Sequence, residues 1–552
     1  MKNKVQYEQI NLNSSNLSTI YVISIFLLFF FLIPFNQFNH LELMPGDVGD
    51  ARLNNYFLEN IYLFFKGKSD SLWHFGFFYP FPFTGGFSDN LFGSSPVYLF
   101  FRALNIKSDT SFQFWFLAGY LFNFIASYYS FRKLGGRPLG ASIGALIFSF
   151  ALPTAAHAGH AQLHFRFGLP LALTFLVFFL KDKEPRNFII SLSWLVWQFY
   201  CGIYMGFFTL MMGFVLFGSY LYIYRKPNRS LSKLTLTVIE MFEKFSFAHI
   251  LLIILLFATL FLLFYPYIQV SNLYGVRRYW GEIESMLPHL QSYFLSDMSK
   301  IWAMPNLKFF SQMPMRHEHQ MFFGLIPILL ALYGFFMCTD QQKKRYEFPL
   351  IASLIPVLFL LTLSIGGFSL WVFLHKLPLF SAIRAMSRID QAMLFPLGYL
   401  AMTAVNKIET KLNGLKFIWL AIIPLMLIEF SFVNIPTSPK SDWRARILKL
   451  EKFLPRDIPK DNIVIFAPRE GPFYADELDV MWVSLTNRMK TMNGYSGINP
   501  PNYSIDYGVA CSEIPKRVEA YVKFSGTEER ADMYEELIQK VIPIGFVGCH
   551  SN

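Results

Sequence analysis

A cluster of residue types suited to acid–base chemistry stands near the start of the chain: Pro45-Gly46-Asp47-Val48-Gly49-Asp50-Ala51-Arg52-Leu53-Asn54-Asn55. Two carboxylates three residues apart sit between glycines, followed by an arginine and two asparagines. An aspartate at a membrane–water boundary can stay ionised and take the proton of a hydroxyl nucleophile, which makes Asp47 and Asp50 the candidate catalytic pair, with Asp47 first. Arg52 and Asn54 are the candidate substrate contacts beside them. Gly46 and Gly49 would let the backbone approach a ligand closely. The plainer alternative is a turn in which Asp50 caps a helix over 51–65.

A second cluster is rich in histidine. His157, His160 and His164, followed by Arg166, are spaced three and four apart and would share one helical face. They could donate to phosphate oxygens, bind a metal, or simply form a wet helix end. No H-E-x-x-H accompanies them, so a zinc hydrolase has little support. A third cluster, Arg316-His317-Glu318-His319-Gln320, precedes an apolar run, and His317 and His319 could complete the same site. In a fourth, Arg384 and Arg388 are four apart on one presumptive helix face and suit the bidentate grip of a phosphate. Arg277 and Arg278 are weaker candidates for the same task, and anionic lipid headgroups are the alternative for both pairs. The glycine-, proline- and aromatic-rich loop from Asn493 to Tyr503 is either a structural turn or a sugar-stacking surface.

The elements that must hold these residues are apolar. Hydrophobic residues make up 54% of the 552 and charged residues 15%, against roughly 25% charged in an average soluble domain. Apolar runs recur near 20–35, 112–131, 139–155, 167–180, 188–200, 203–224, 250–268, 321–338, 348–365, 392–405 and 417–433. This predicts an all-α polytopic membrane protein of about eleven transmembrane helices. The segments 132–137, 181–186, 225–244, 343–345 and 407–416 are all basic and alternate with the runs. The N-terminus is therefore expected in the cytoplasm, and the net charge of +11 reports topology rather than nucleic acid. Loops 36–111 and 269–320 and the region 434–552 then lie outside. The last reads as a small external α/β domain, with an amphipathic helix near 443–454 and strands near 463–466 and 541–547. Two of the four cysteines, Cys511 and Cys549, fall in it and could pair in an oxidising compartment. The aromatic stretch 77–82 is expected in the membrane interface or a re-entrant segment.

Nucleotide chemistry finds no support. Gly67-Lys68-Ser69 looks like the end of a P-loop, but Tyr62 stands where its first glycine belongs.

On the Asp47–Asn55 cluster, the multi-span topology and the external C-terminal region, the chain resembles the GT-C class of membrane glycosyltransferases. That class carries an essential acidic residue in the first external loop, where Asp47 and Asp50 stand. The resemblance implies transfer of a sugar, with inversion, from a polyprenyl-phosphate carrier at the outer face of the plasma (inner) membrane. The partners it implies are the polyprenyl-phosphate-linked sugar, the bilayer and an envelope glycan or protein acceptor. No cofactor is required by the reading, though phosphate with Asp47 and Asp50 could supply oxygens to a divalent metal. A transporter or flippase of a lipid-linked saccharide, using the same charged cavity without covalent chemistry, is the competing reading.

Overall fold

The computed structural model describes residues 18–224, 239–276, 278–304, 308–311, 313–337, 345–377, 380–455, 458–459, 461–469, 471–503, 508–526 and 530–549. Arg277, Cys338, the basic stretch 225–238 and residues 343–344 lie outside them.

Among the described residues the apolar runs fall largely in helices, the run 139–155 divided between two, and shorter helices stand between them. In chain order these are α1 (Ser18–Phe35), α2 (Asp50–Phe65, the helix of the first loop), α3 (Ser95–Ala103), α4 (Ser108–Lys133), α5 (Pro138–Phe150), α6 (Leu152–Ala156), α7 (Gly168–Asp182), α8 (Pro185–Cys201), α9 (Ile203–Ile223), α10 (Phe247–Tyr274), α11 (Leu325–Phe336), α12 (Glu347–Thr362), α13 (Asp390–Glu409) and α14 (Gly414–Ser431). Among the described residues six helical stretches are long and apolar enough to cross a membrane: Ser18–Phe35, Pro138–Ala156, Ala161–Asp182, Ile203–Ile223, Phe247–Tyr274 and Gly414–Ser431.

Burial sorts them. The 28-residue α10 has a mean hydropathy of 2.8 over its best window, yet only 6% of that window is buried. Such a helix exposes Leu, Ile and Phe on every side, which water would not tolerate and hydrocarbon does. The stretch Pro138–Ala156 is the opposite, with 94% of its window buried. It crosses α13 where Gly144 and Gly398 meet: a Cβ on Gly144 would stand 2.6 Å from the Gly398 carbonyl, and one on Gly398 2.7 Å from that of Gly144. Small residues at a crossing let backbones touch, the usual packing between membrane helices. This contact fixes the N-terminal end of α13 beside the segment that follows α6.

The C-terminal segment holds a three-stranded parallel sheet with β3 (Ile463–Phe466) between β4 (Lys490–Thr491) and β5 (Val541–Ile544). Helices α15 (Lys440–Glu451), α16 (Phe473–Asn487), α17 (Glu513–Ser525) and α18 (Arg530–Lys540) pack around it. Cys511 and Cys549 are disulfide-bonded, with Cα atoms 5.2 Å apart. A short antiparallel pair, β1 (Leu43–Pro45) with β2 (Thr437–Pro439), ties this segment to the first loop.

The stretch 77–82 departs from expectation. Its rings are buried against the C-terminal segment instead of lying in an interface. Phe77 and Phe78 are fully buried, the Phe78 ring centroid is 4.8 Å from that of Tyr503 and Phe81 is 5.2 Å from Phe524. The backbone amides of Phe78 and Tyr79 donate to the carbonyls of Asn493 and Thr491 at 3.0 and 2.9 Å. An apolar loop can leave lipid for a protein partner when that partner offers both rings and hydrogen bonds.

Candidate active site

Gly46 and Gly49 serve the approach of chain to chain. Gly46 has φ +77°, and a Cβ there would collide with that of Ala51 at 2.3 Å and come within 3.3 Å of the Gly159 Cα. The first loop thereby lies directly on the segment around His157 and His160. Asp47 is exposed and its Oδ1 accepts the amide of Gly49 at 3.0 Å. Asp50 is the first residue of α2, with no side-chain cap in that helix, so its carboxylate is free for other partners. Oδ1 accepts the Tyr495 hydroxyl at 2.8 Å, and Oδ2 lies 3.2 Å from His160 Nδ1.

His160 is the middle of a charge chain. Its Nε2 is 3.5 Å from Glu318 Oε1. Arg388 grips Glu318 with two bonds, Nε to Oε2 at 2.8 Å and Nη2 to Oε1 at 2.6 Å, and stacks over the Tyr204 ring at 5.1 Å. Charge alternates along Asp50, His160, Glu318 and Arg388. Burial works against the charged form of each. For Asp50 the neighbouring His160, Tyr495 and Arg388 outweigh it and hold the carboxyl below its usual range. For Glu318, Arg388 and His160 do the same more strongly. Burial and Arg388 push His160 down, and its two carboxylate neighbours more than restore it, so it titrates above an ordinary histidine. Tyr495 is pushed up by burial and by Asp50, and stays a phenol donor.

Asp50, Tyr204, Arg388 and Tyr495 line a cavity of about 750 Å³, together with Asn54, Asp89, Arg278, Arg384 and residues 496–498. The size is that of a pocket for a substantial organic ligand. Arg278 and Arg384 both reach Glu282, at 3.2 and 3.0 Å, and Arg384 keeps a third of its side chain exposed. Asn54 bridges the Asp50 carbonyl and Gln162. Asp89 is held at the N-terminus of α9, its Oδ1 accepting the Ile203 amide at 2.6 Å, while Oδ2 is buried without a partner. Burial, opposed by three backbone amides and Arg388, pushes this carboxyl up to about 7.

Other residues singled out in the sequence lie elsewhere. Arg52 is fully buried and pairs with Asp479 of α16, away from the cavity. His164 is buried, stacks on Phe116 at 4.0 Å and bonds the Phe116 carbonyl at 2.7 Å. Arg166 is buried too, donating to Phe148 O and Thr154 Oγ1, each at 2.6 Å. The three histidines do not form one helical face, because α6 ends at Ala156 and a 3₁₀ turn (Ala161–Leu163) follows. His317 is exposed. His319 is buried between Ser292 Oγ and Ser285 O, at 2.8 and 2.9 Å, and burial pushes it down to about 4. Arg384 and Arg388 both line the cavity, but from irregular chain and a 3₁₀ turn; α13 begins only at Asp390. Asp89 was not singled out in the sequence; Glu318 and Tyr495 stood within segments that were, without a role of their own. Glu318 had a signal, an acid inside the basic run 316–320.

His157, His160 and Glu318 could hold a metal ion: one ligand atom from each lies within 4.8 Å of the others. The donor set fits. His157 Nε2 is 3.2 Å from Asp390 Oδ2 while its buried Nδ1 has no partner. That is how a carboxylate orients a metal-binding imidazole.

No protein-family model matches the sequence, and no curated protein does. Among solved structures, the chain is similar to the oligosaccharyltransferase of Archaeoglobus fulgidus in its apo form, at 12% identity and TM-score 0.49, covering 95% of this chain and 69% of that one. It is similar to the arabinofuranosyltransferase AftD from Mycobacteria at 11% identity and TM-score 0.37, covering 81% and 29%. A third is ArnT of Cupriavidus metallidurans, at 11% identity and TM-score 0.37, covering 92% and 91%. These neighbours are GT-C glycosyltransferases. With identities of 11–12%, residue roles do not carry across from them.

Proposed function

We propose that the chain is a membrane glycosyltransferase that moves a sugar from a polyprenyl-phosphate donor to a cell-envelope acceptor at the outer face of the membrane. The observation that carries this is the cavity in which a paired, ionised carboxylate, Asp50, faces arginines across a space sized for a lipid-linked sugar. In this reading residues 1–433 form the transmembrane part with external loops 36–111 and 269–320, and 434–552 form an external α/β domain. The Cys511–Cys549 bond supports an oxidising surrounding for the latter.

The acceptor hydroxyl oxygen attacks the anomeric carbon of the donor sugar, and the bond from that carbon to the phosphate oxygen breaks with its electron pair on the phosphate. Asp50 takes the hydroxyl proton. Tyr495 and His160 hold its carboxylate in place and keep it ionised. This assigns the base to Asp50; Asp47, outside the cavity lining, shapes the turn by accepting the Gly49 amide. Arg384, with Arg278, stabilises charge as it develops on the leaving phosphate. Arg388 is committed to Glu318 and acts by positioning. His157, His160 and Glu318 would hold a divalent metal, which when bound supplies positive charge beside the leaving group.

The test uses the purified protein in proteoliposomes with a panel of radiolabelled polyprenyl-phosphate monosaccharides and an envelope extract as acceptor. Transfer of label with release of polyprenyl phosphate, lost in Asp50→Asn, is the expected result. Movement of the intact labelled lipid across the bilayer without glycosylated product would replace the transferase with a flippase.

A further inference from the structure

The motif Gly67-Lys68-Ser69 has no place in the reaction above, and the structure gives its lysine and serine a different setting. A second cavity, of about 270 Å³, lies between the first loop and the C-terminal segment. It opens along α2, where Tyr56 and Asn60 line it. Asn60 is six residues beyond Asn54 of the catalytic cavity, roughly 9 Å further along the helix axis.

Its lining has three kinds of group. Lys68, Arg488 and Lys490 supply positive charge, with Asp70 opposing them. Lys68 and Arg488 are exposed and form no ion pair among the described residues. Lys490 stands 4.6 Å over the Tyr79 ring. Tyr79, Phe81 and Tyr56 supply aromatic surface. The floor is polar and underused: Asn60 and Ser484 are 2% exposed, and Asn60 Oδ1 and Ser484 Oγ have no hydrogen-bond partner. Both residues line the cavity, where the hydroxyls of a ligand can supply the bonds these atoms lack. His74 adds a directed donor. Its Nδ1 accepts the Phe83 amide at 3.1 Å, which leaves the proton on Nε2.

We infer that this cavity is a second ligand site, taking one sugar ring that carries an anionic substituent, a phosphate or a carboxylate. Free cations at the rim meet the anion, ring faces meet the apolar face of the sugar, and the polar floor meets its hydroxyls. The volume admits about one ring and excludes a lipid-linked donor. Resting on the glycosyl-transfer reading, the site would grip an anionic residue of the acceptor glycan nearly three helical turns, roughly 15 Å, from the catalytic carboxylate.

Binding can be measured without turnover. Glucose 6-phosphate, glucose and inorganic phosphate serve as probes for the full chain in detergent, by calorimetry and saturation-transfer NMR. Glucose 6-phosphate should bind with a Kd on the order of 1 mM, as its size allows, and at least about tenfold more tightly than either glucose or phosphate. Lys68→Gln with Arg488→Gln should weaken it by at least about tenfold. Both side chains are exposed, so an unchanged melting temperature confirms the fold, and Arg488→Lys alone should retain most of the binding. Asp50→Asn should leave the affinity unchanged, which separates this site from the catalytic one. Equal binding of glucose and glucose 6-phosphate, or affinity indifferent to the double substitution, overturns the site while leaving the transferase reading intact. Phosphate binding as tightly as glucose 6-phosphate overturns the sugar component. Loss of transfer as the primary activity, with these affinities as expected, would spare the site and remove only its role toward the acceptor.

Discussion

Asp50 and Arg52 are two residues apart in one helix, and each is the centre of a charge cluster. Asp50 keeps 39% of its side chain exposed and belongs to a set of alternating charges whose two ends, Asp50 and Arg388, line the large cavity. Arg52 is sealed at 0% exposure among Asp479, Asp476, Arg446 and Arg469. Arg469 reaches Asp479 at 2.6 Å and Asp476 at 2.9 Å, and Arg446 reaches the same two at 2.9 and 3.1 Å. The chemistry of the side chains is the same in both clusters. Access separates them: two positions in a helix are about 200° apart, so one side chain faces the cavity and the other faces α16. A charge that a ligand can reach is available for catalysis. A charge sealed on all sides can only join two parts of the fold, here α2 and the C-terminal segment.

The comparison is broken or sharpened by substitution. The largest effect should come from Asp50→Asn, which removes the proposed base: a loss of roughly 10²–10⁴ in turnover, with the melting temperature nearly unchanged. A collapse in stability instead would place Asp50 with the structural cluster. Arg52→Met should do the reverse. It leaves Asp479 short of a buried partner and should cost about 3–5 kcal/mol of stability, seen in denaturant unfolding, while the folded fraction keeps its turnover. Arg384→Ala should raise the KM for donor by about tenfold or more through loss of a charge-assisted contact, with less effect on turnover.

A pH series separates the cavity from the sealed cluster in another way. The folded pKa of Asp89, pushed up to about 7 by burial, exceeds its unfolded value. Its contribution is therefore fully present below about pH 4 and is lost as pH rises through 7. Asp89→Asn should flatten the fall in melting temperature between pH 5 and pH 8; an unaltered slope would remove Asp89 from the account. The smallest effect belongs to Asp47→Asn. Asparagine can accept the Gly49 amide as aspartate does, so stability should move by less than ~0.5 kcal/mol and turnover by less than about twofold. A large loss of turnover would return the base to Asp47.

The runs of apolar sequence carried the helices, because hydrocarbon-facing and core-facing helices both need nearly uninterrupted apolar residues. The position of the acidic loop after α1, the pair Arg384 and Arg388, and the pairing of Cys511 with Cys549 were also legible as residue types in the right region. Within the first cluster, helix geometry alone separates Asp50 and Asn54, four apart on one face, from Arg52 on the other. The histidine run misled by its spacing. A helical face was expected over 157–164, but the helix stops at Ala156 and the chain turns, sending His160 to Asp50 and Glu318 and His164 into the core against Phe116.

What the sequence determined by itself was therefore the inventory and its solvent: which stretches must leave water, and which charged residues stand close to their ends. Only the tertiary structure decided the partners. Asp50 meets Tyr495 across 445 residues of chain, Arg388 meets Glu318 across 70, and His157 meets Asp390 across 233. Such contacts are set by where helices cross, as at Gly144 and Gly398, and a local pattern of residue types holds no record of a crossing made by the other half of the chain. Burial is decided in the same place. An arginine or an aspartate carries its charge wherever it stands, but whether that charge meets a ligand or another part of the protein depends on what packs over it.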